Sequence, residues 1–358
     1  MAFLAMIPAC GWSSGDNGDR DGGVDSVPAD AAQCFGSFIN VCLSALPTAP
    51  VTVGLADPDL DIDTGTSTMC DTRTSEYCVI AGTSFSVALG KKISGHGTRP
   101  LILVSTTSAA FELTGDLDVS SNHDGTIVGA GALAANVCSI LPSGPIAATV
   151  NSGGFGGSFG GRGGDGEQVQ GNRGVAAAAA SFPAAALRGG CPGGIGGAGG
   201  AGGNGGGAIL VIASAIHLNG KINASGAGGR GGPAATSGGG GGGSGGMIVL
   251  DSPSIVGVGS VFANGGGGGQ GGAQGTGNGG DDGKESTAPL DSAAGGKSTS
   301  NGKDGGHGGD GSSGGSRAGG LPGVLAVATG GGGAGGGSAG FVRATGATGV
   351  MIAPPSIP

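Results

Sequence analysis

Aromatic side chains are almost missing from this chain: ten Phe, one Trp and one Tyr are its whole complement. Sugar-binding platforms usually present aromatic faces, so specific glycan recognition by stacking has little to work with. Charge is scarce too, at 11% of residues with a net of -9. No Lys/Arg patch offers phosphate contacts, which excludes nucleic acid as a partner. No run of 18 or more apolar residues exists, so no helix spans a membrane. CxxC zinc spacing is absent. Helical signals are confined to residues 174–190, where Pro183 would break them into short turns.

Glycine fills the space: 92 of 358 residues. Disorder does not follow, because 37% of the chain is hydrophobic and the net charge is weak for its length. Collagen does not follow either, since the glycines keep no strict three-residue period along the chain and Pro numbers only 17.

Seven cysteines are present. Cys10 ends the stretch MAFLAMIPAC, which reads as the tail of a secretion signal. Ile7, Pro8 and Ala9 lead into a lipid-accepting cysteine, similar to a bacterial lipobox. The basic n-region of such a signal is missing, so the true start is expected upstream. The competing reading is an apolar N-terminus with a chance cysteine. With Cys10 lipidated, Cys34, Cys42, Cys70, Cys78, Cys138 and Cys191 remain for three disulfides in an oxidising compartment, and spacing alone leaves their connectivity open. Residues 1–10 are then a truncated lipoprotein signal and 11–32 an acidic Gly/Pro tether. Residues 33–77 form a small disulfide-stapled module, and 78–358 a glycine-rich β repeat domain.

The repeat is read from GGAILVIASAIHLNGKINASG (206–226), which lies on GGMIVLDSPSIVGVGSVFANG (245–265) after a shift of 39. Ile209 then matches Ile248, Ile216 matches Ile255 and Ile222 matches Val261. Phe111, Leu113, Gly115, Leu117 and Val119 fill the same slots earlier, and GFVRATG supplies a truncated last copy. Apolar residues alternate with period two, so these are strands. The phase slips near 213–215 and again near 252–254, giving a unit of strand, corner, strand and glycine-rich return. Units that cannot bury their own apolar face must stack. The expected class is all-β: a parallel β-helix or solenoid-like stack with long glycine-rich loops, the glycine tracts either loose or laid against each other as polyproline II. Residues 270–320 read as a long loop.

The segments CFGSFINVCL, YCVIAGTSFSV, SGGFGGSFGGRGG, RGGCPG and GGGGGGSGGMIVLDSPSI together resemble a family of glycine-rich repetitive bacterial surface lipoproteins. The resemblance covers most of the chain after the tether. It implies a β-solenoid-like body on the surface of Gram-negative cells, and no established activity. Chains of this look sometimes carry the name tryptophan synthase alpha chain, which implies an eightfold βα barrel. This sequence lacks the helices for one.

Chemistry-bearing motifs are sparse. GTIVGAGALAA, from residue 125, imitates a dinucleotide fingerprint, but no helix continues from it, so no nucleotide cofactor is expected. The four histidines, His96, His123, His217 and His307, read as surface residues without a recognisable partner. No ladder of Asp with Arg or Lys is evident between the repeats. The best polar constellation is Asp57, Asp59, Asp61 and Asp63, which would share one strand face. Like charges repel there, so either water or calcium compensates; the calcium loop would need Gly where Ile62 or Thr64 stands. The expected function is a non-catalytic, lipid-anchored protein of the outer membrane or cell surface. Its role is structural, adhesive or in a matrix, with extracellular matrix or glycan as partner. The alternatives are a secreted polysaccharide-active lyase or hydrolase, which would gather acids and a base in one groove, and a glycan-binding module, which would show a repeated side-chain ladder.

Overall fold

Short β-branched and Leu-rich runs alternate with glycine, and the chain separates along that division. The computed structural model describes residues 33–71, 75–124, 126–138, 144–180, 186–273, 279–297, 305–313, 320–323 and 330–357. Met1–Ala32 and Gln33–Pro358 are separate contact units; the first lies outside the described residues, and Cys10 with it.

Three parallel sheets form, and the chain visits them in turn. The narrow sheet holds Val51–Val53, Phe85–Val87, Phe111–Leu113, Ile216–Leu218 and Ile255–Val256. The groove sheet holds Leu60–Asp63, Lys92–His96, Asp116–Asp118, Lys221–Asn223, Ser260–Phe262 and Met351–Ala353. The buried sheet holds Cys78–Gly82, Leu101–Ser105, Ala208–Ile212, Met247–Asp251 and Phe341–Arg343. Residues that align at a shift of 39 are ladder neighbours: Ile209 with Ile248, Ile216 with Ile255, Ile222 with Val261. Strands on both sides of residue 77 pair, Val51–Val53 with Phe85–Val87 and Leu60–Asp63 with Lys92–His96.

Each unit has three strands, where the alternation suggested two. The second corner, at Asn219 and Gly220, does not change parity: Leu218 and Ile222 are both even-numbered and both buried in one core. Period-two reading is blind to such a corner. Inward residues of all three sheets meet in that core, where Phe85 and Phe111 stack with centroids 5.0 Å apart.

The expected class, an all-β helix or solenoid-like stack with long glycine-rich loops or polyproline-II segments, is corrected. Sheets make only part of the molecule. They are mostly parallel and stacked in layers, the plan otherwise associated with α/β proteins, but the described residues contain a single helix, Ala135–Cys138. Between Asp118 and Ala208, and between Phe262 and Phe341, no described residue belongs to a named strand. These stretches pack into a second body with its own hydrogen-bond rule.

That rule has a period of three. Gly238, Gly241 and Ser244 donate to Gly197, Gly194 and Cys191; Gly239, Gly242 and Gly245 donate to Gly332, Gly335 and Ser338; Gly240, Gly243 and Gly246 donate to Arg230, Ala227 and Ala224. Successive amides thus aim at three different neighbours, as three residues per turn dictates, the repeat of polyproline II. Residues 265–272 do the same, with partners in 237–243, 281–284 and 306–312. The described parts of 270–320 are therefore packed chain. At the edge, GGIGGAGGAGGNGG (193–206) keeps a local three-residue period: Ile195, Ala198 and Ala201 point to solvent while Gly194, Gly197, Gly200 and Gly203 are buried or close to a neighbour.

At many of its glycines this body leaves no room for a side chain. A Cβ on Gly241 would fall on the carbonyl oxygen of Phe155. Ordering glycine costs roughly 0.5–1 kcal/mol more than ordering alanine, and each buried hydrogen bond returns about 0.5–1.5 kcal/mol net. The two are close, so apolar sealing tips the balance. The buried sheet is apolar on both faces, as parallel sheets are. Ile209 and Val211 face the inner core, while Leu210, Ile102, Val104 and Val249 face outward against Phe159 and Leu187 of the glycine body. Phe159 meets Phe341 edge-on at 4.7 Å, with the Arg188 guanidinium 5.1 Å from its ring centre. The rest of that outer face is covered by the antiparallel ribbon Cys34–Phe35 with Val41–Cys42, through Val41, Leu43 and the partly buried Phe38. Disulfides join Cys34 to Cys42, Cys70 to Cys78 and Cys138 to Cys191.

Gly241→Ala is expected to destabilise the chain by about 1–3 kcal/mol through overpacking, whereas Ile195→Ser, at an exposed third position, stays within about 0.5 kcal/mol. Urea melts of the two variants check this; equal midpoints would mean the bundle does not require its close approach.

The ribbon is clasped by one carboxylate. Asp251 accepts from the Ser37 hydroxyl at 2.7 Å, the Phe38 amide at 2.9 Å and the Ser37 amide. Partial burial pushes the Asp251 carboxyl up, but these donors and Arg343 outweigh it, and the net shift is down. A depressed native value stabilises the fold above the ordinary pKa of 3.8 and is lost as pH falls through the lower native value. Proteolysis or hydrogen exchange within residues 34–42 is therefore expected to rise below about pH 4, and to be raised and nearly pH-independent there in Asp251→Asn.

Candidate functional site: a polar groove across parallel strands

Inward positions of the groove sheet are apolar: Ile62, Ile93, Leu117, Ile222 and Val261. The alternate positions face out and are polar. In register, Lys92 lies beside Asp116, Asp116 beside Lys221, and Lys221 beside Ser260. The next rank runs Asp61, Ser94, Asp118, Asn223, Phe262, and Asp63 lies beside His96. A ladder of Asp with Lys is present after all. Neighbouring members stand up to 105 residues apart in the chain, and only stacking aligns them.

The ladder is already paired. Lys221 Nζ sits 3.0 Å from Asp116 Oδ2, Lys92 Nζ 3.9 Å from Asp118 Oδ2, and His96 Nε2 3.4 Å from Asp61 Oδ2. These side chains are about a third to two-thirds exposed. Exposed pairs contribute about 0–1 kcal/mol, too little to explain the rank as a device for stability.

Two clefts lie over this face. One, of about 310 Å³, is lined by Asp61, Lys92, Ser94, His96, Asp118 and Ser120, with Asn122 and Ile127 at its side. The other, of about 250 Å³, is lined by Asp116, Asp118, Ser120, Lys221, Asn223 and Phe262, with Glu285, Ser286 and Thr287 at its side. Sharing Asp118 and Ser120, they make one groove running across the strands. Beside it, His123 Nδ1 meets Glu285 Oε1 at 2.8 Å, its Nε2 lies 3.9 Å from Asp282, and Asp282 also receives Arg230 at 3.1 Å and the Gly231 amide at 2.8 Å. This half-buried cluster ties residues 282–285 to the end of the groove sheet.

No family model, curated protein or solved structure matches this chain.

The four acids singled out in the sequence do not converge. Asp57 accepts from the Gly54 amide at 2.8 Å and Asp59 from the Lys92 amide at 3.0 Å. Asp61 faces His96. Asp63 takes the Thr66 hydroxyl at 2.7 Å and the Gly65 amide at 2.9 Å, which hold its carboxyl below its ordinary value. Among the described residues no group of three or more His, Cys, Asp or Glu comes together to hold a metal ion.

Partners for the histidines were missed in the sequence. Besides His96 and His123, His217 Nδ1 meets Glu112 Oε1 at 2.7 Å on the outward face of the narrow sheet. A signal existed: the slot after the corner glycine reads Asp116, Lys221 and Ser260 in successive copies. Comparing the residues between the apolar slots would have found the ladder. Gly129 and Gly131 of the dinucleotide-like motif lie in a bridge and a turn, and the helix after them is four residues long. No helix of the described residues is long and apolar enough to cross a membrane.

A double-mutant cycle on Asp116→Ala and Lys221→Ala, read by thermal unfolding, is expected to give a coupling of no more than about 1 kcal/mol. A coupling of several times that would make the ladder a structural element.

Proposed function

We propose that this chain is a non-catalytic, lipid-anchored cell-surface protein with an adhesive or matrix role, and that its exposed polar groove is the contact surface. The observation that carries this reading is a rank of charged and hydroxyl-bearing side chains that does little for stability yet is held in register by two packed bodies. The resemblance to glycine-rich surface lipoproteins supports it, with Cys10 as the lipid acceptor and the acidic tether at 11–32 as spacer. Three disulfides suit an oxidising compartment. An outer-membrane or surface location follows from that anchor. Within this reading the groove works as it stands, with no cofactor, and its partner is matrix or glycan.

One observation favours a second reading. Asp61 with His96 and Lys92 with Asp118 line the same cleft, the gathering of acids and bases that a polysaccharide lyase or hydrolase needs. The two readings differ in turnover. The full chain incubated with soluble polysaccharides releases no new reducing or unsaturated ends if the groove only binds; steady product release abolished by His96→Ala would establish the enzyme.

For the anchor, the full chain expressed behind a lipoprotein signal in a Gram-negative host is expected to fractionate with membranes and to incorporate labelled fatty acid. Cys10→Ser should release it in soluble form. Membrane retention unchanged in Cys10→Ser would remove the lipid anchor from the reading.

A further inference from the structure

We infer that the groove binds a neutral, polyhydroxylated polymer, an uncharged glycan laid across the strands, in contact with Lys92, Asp116, Asp118, Lys221 and Asn223. This deepens the adhesive reading above and rests on it.

The first argument is spacing. Parallel strands stand about 4.8 Å apart, close to the length one sugar unit adds to an extended chain. Each strand therefore presents one rank of side chains per sugar. From Leu60–Asp63 to Ser260–Phe262 the groove crosses five strands, roughly 19 Å, which sets its length at about four units.

The second argument is hydrogen-bonding character. A sugar hydroxyl both donates and accepts. Along the groove Asp116 and Asp118 accept, Lys92 and Lys221 donate, and Asn223 does both. Because the lysines already face the aspartates, a hydroxyl enters between charges that are in place, and its bonds are charge-assisted.

Charge then chooses among polymers. The groove carries four acids, Asp61, Asp116, Asp118 and Glu285, against two lysines, on a chain of net charge -9. A polyanion is repelled, and the acids do not converge in a way that would let a bridging cation reverse this. A polycation would have to displace both lysines. Phe262, the one aromatic residue lining the groove, is 1% exposed. Recognition is therefore by hydrogen bonds, and affinity accumulates unit by unit.

The test uses the full chain in detergent, with uncharged gluco- and manno-oligosaccharides of increasing length, polygalacturonate as polyanion, and chitosan as polycation, read by calorimetry and affinity electrophoresis. Affinity for one neutral series should rise with length and level off near four to five units. It should persist in EDTA, and fall at least fivefold in both Asp118→Asn and Lys221→Gln. Glu112→Gln, on the narrow sheet, should bind as wild type. Thermal melts of the variants close to wild type keep the comparison sound; if Asp118→Asn is unfolded, Asn223→Ala replaces it with the same expected loss. Preference for either charged polymer, loss of binding in EDTA, or neutral binding indifferent to the groove variants overturns the inference. So does the absence of binding to every neutral series. Cells carrying the chain that still adhere to matrix while the groove variants change nothing defeat the groove alone. Cells that do not adhere, although the purified chain binds neutral glycan as described, defeat the adhesive reading alone.

Discussion

Backbone approaching backbone without side chains between is the contact on which this molecule depends. Along 238–246 and 265–272 successive amides find carbonyls on three neighbours in turn, and the segments come so near that a methyl group at Gly241 would overlap the Phe155 carbonyl. Close packing of this kind is self-sufficient in hydrogen bonds but poor in apolar burial. It gains its seal from the buried sheet, whose outward Leu, Ile and Val residues need a cover that helices supply in other parallel-sheet proteins. Each body thus provides what the other lacks. The sheets bring oily surface, and the glycine segments bring a hydrogen-bonded lid.

This division explains why chemistry is confined to so few places. A body made mostly of glycine has few side chains with which to recognise anything, and the inner core of the sheets is filled by Ile, Leu, Val and Phe. The narrow sheet faces outward with short residues and the single Glu112–His217 pair. The groove sheet is where acids, lysines, serines and an asparagine line up, and there the glycine body contributes a side wall through Glu285, Ser286 and Thr287. His123, bonded to Glu285, fastens that wall to the sheet's end.

The fold was legible where burial imposed a pattern. Period-two alternation identified the strands, and the 39-residue shift identified which residues become neighbours, Ile209 with Ile248 among them. The second corner of each unit was hidden because Asn219 and Gly220 leave parity unchanged. The glycine tracts left two readings open, loose loops or packed polyproline II, because a residue without a side chain leaves no alternation to follow. Their order was recorded instead in GGIGGAGGAGGNGG, where a side chain is permitted only at the third place that faces solvent. The chain as a whole keeps no three-residue period, and this one segment does. The ladder was illegible for another reason. Lys221 and Asp116 are distant in sequence and nothing local to either announces the pair; only their shared slot after the corner glycine, read across copies, does.

The wall ties the two bodies' purposes together. A sheet face alone is flat, and a flat face holds an extended chain only by its ranks of side chains. The groove acquires depth because residues 282–287 leave the glycine body, bond through Asp282 to Arg230 and through Glu285 to His123, and so run alongside the ladder. Glycine-rich segments that cover an apolar face also bring this edge to the polar face of the groove sheet. The material that is worst at forming strands thereby shapes the site that the strands present.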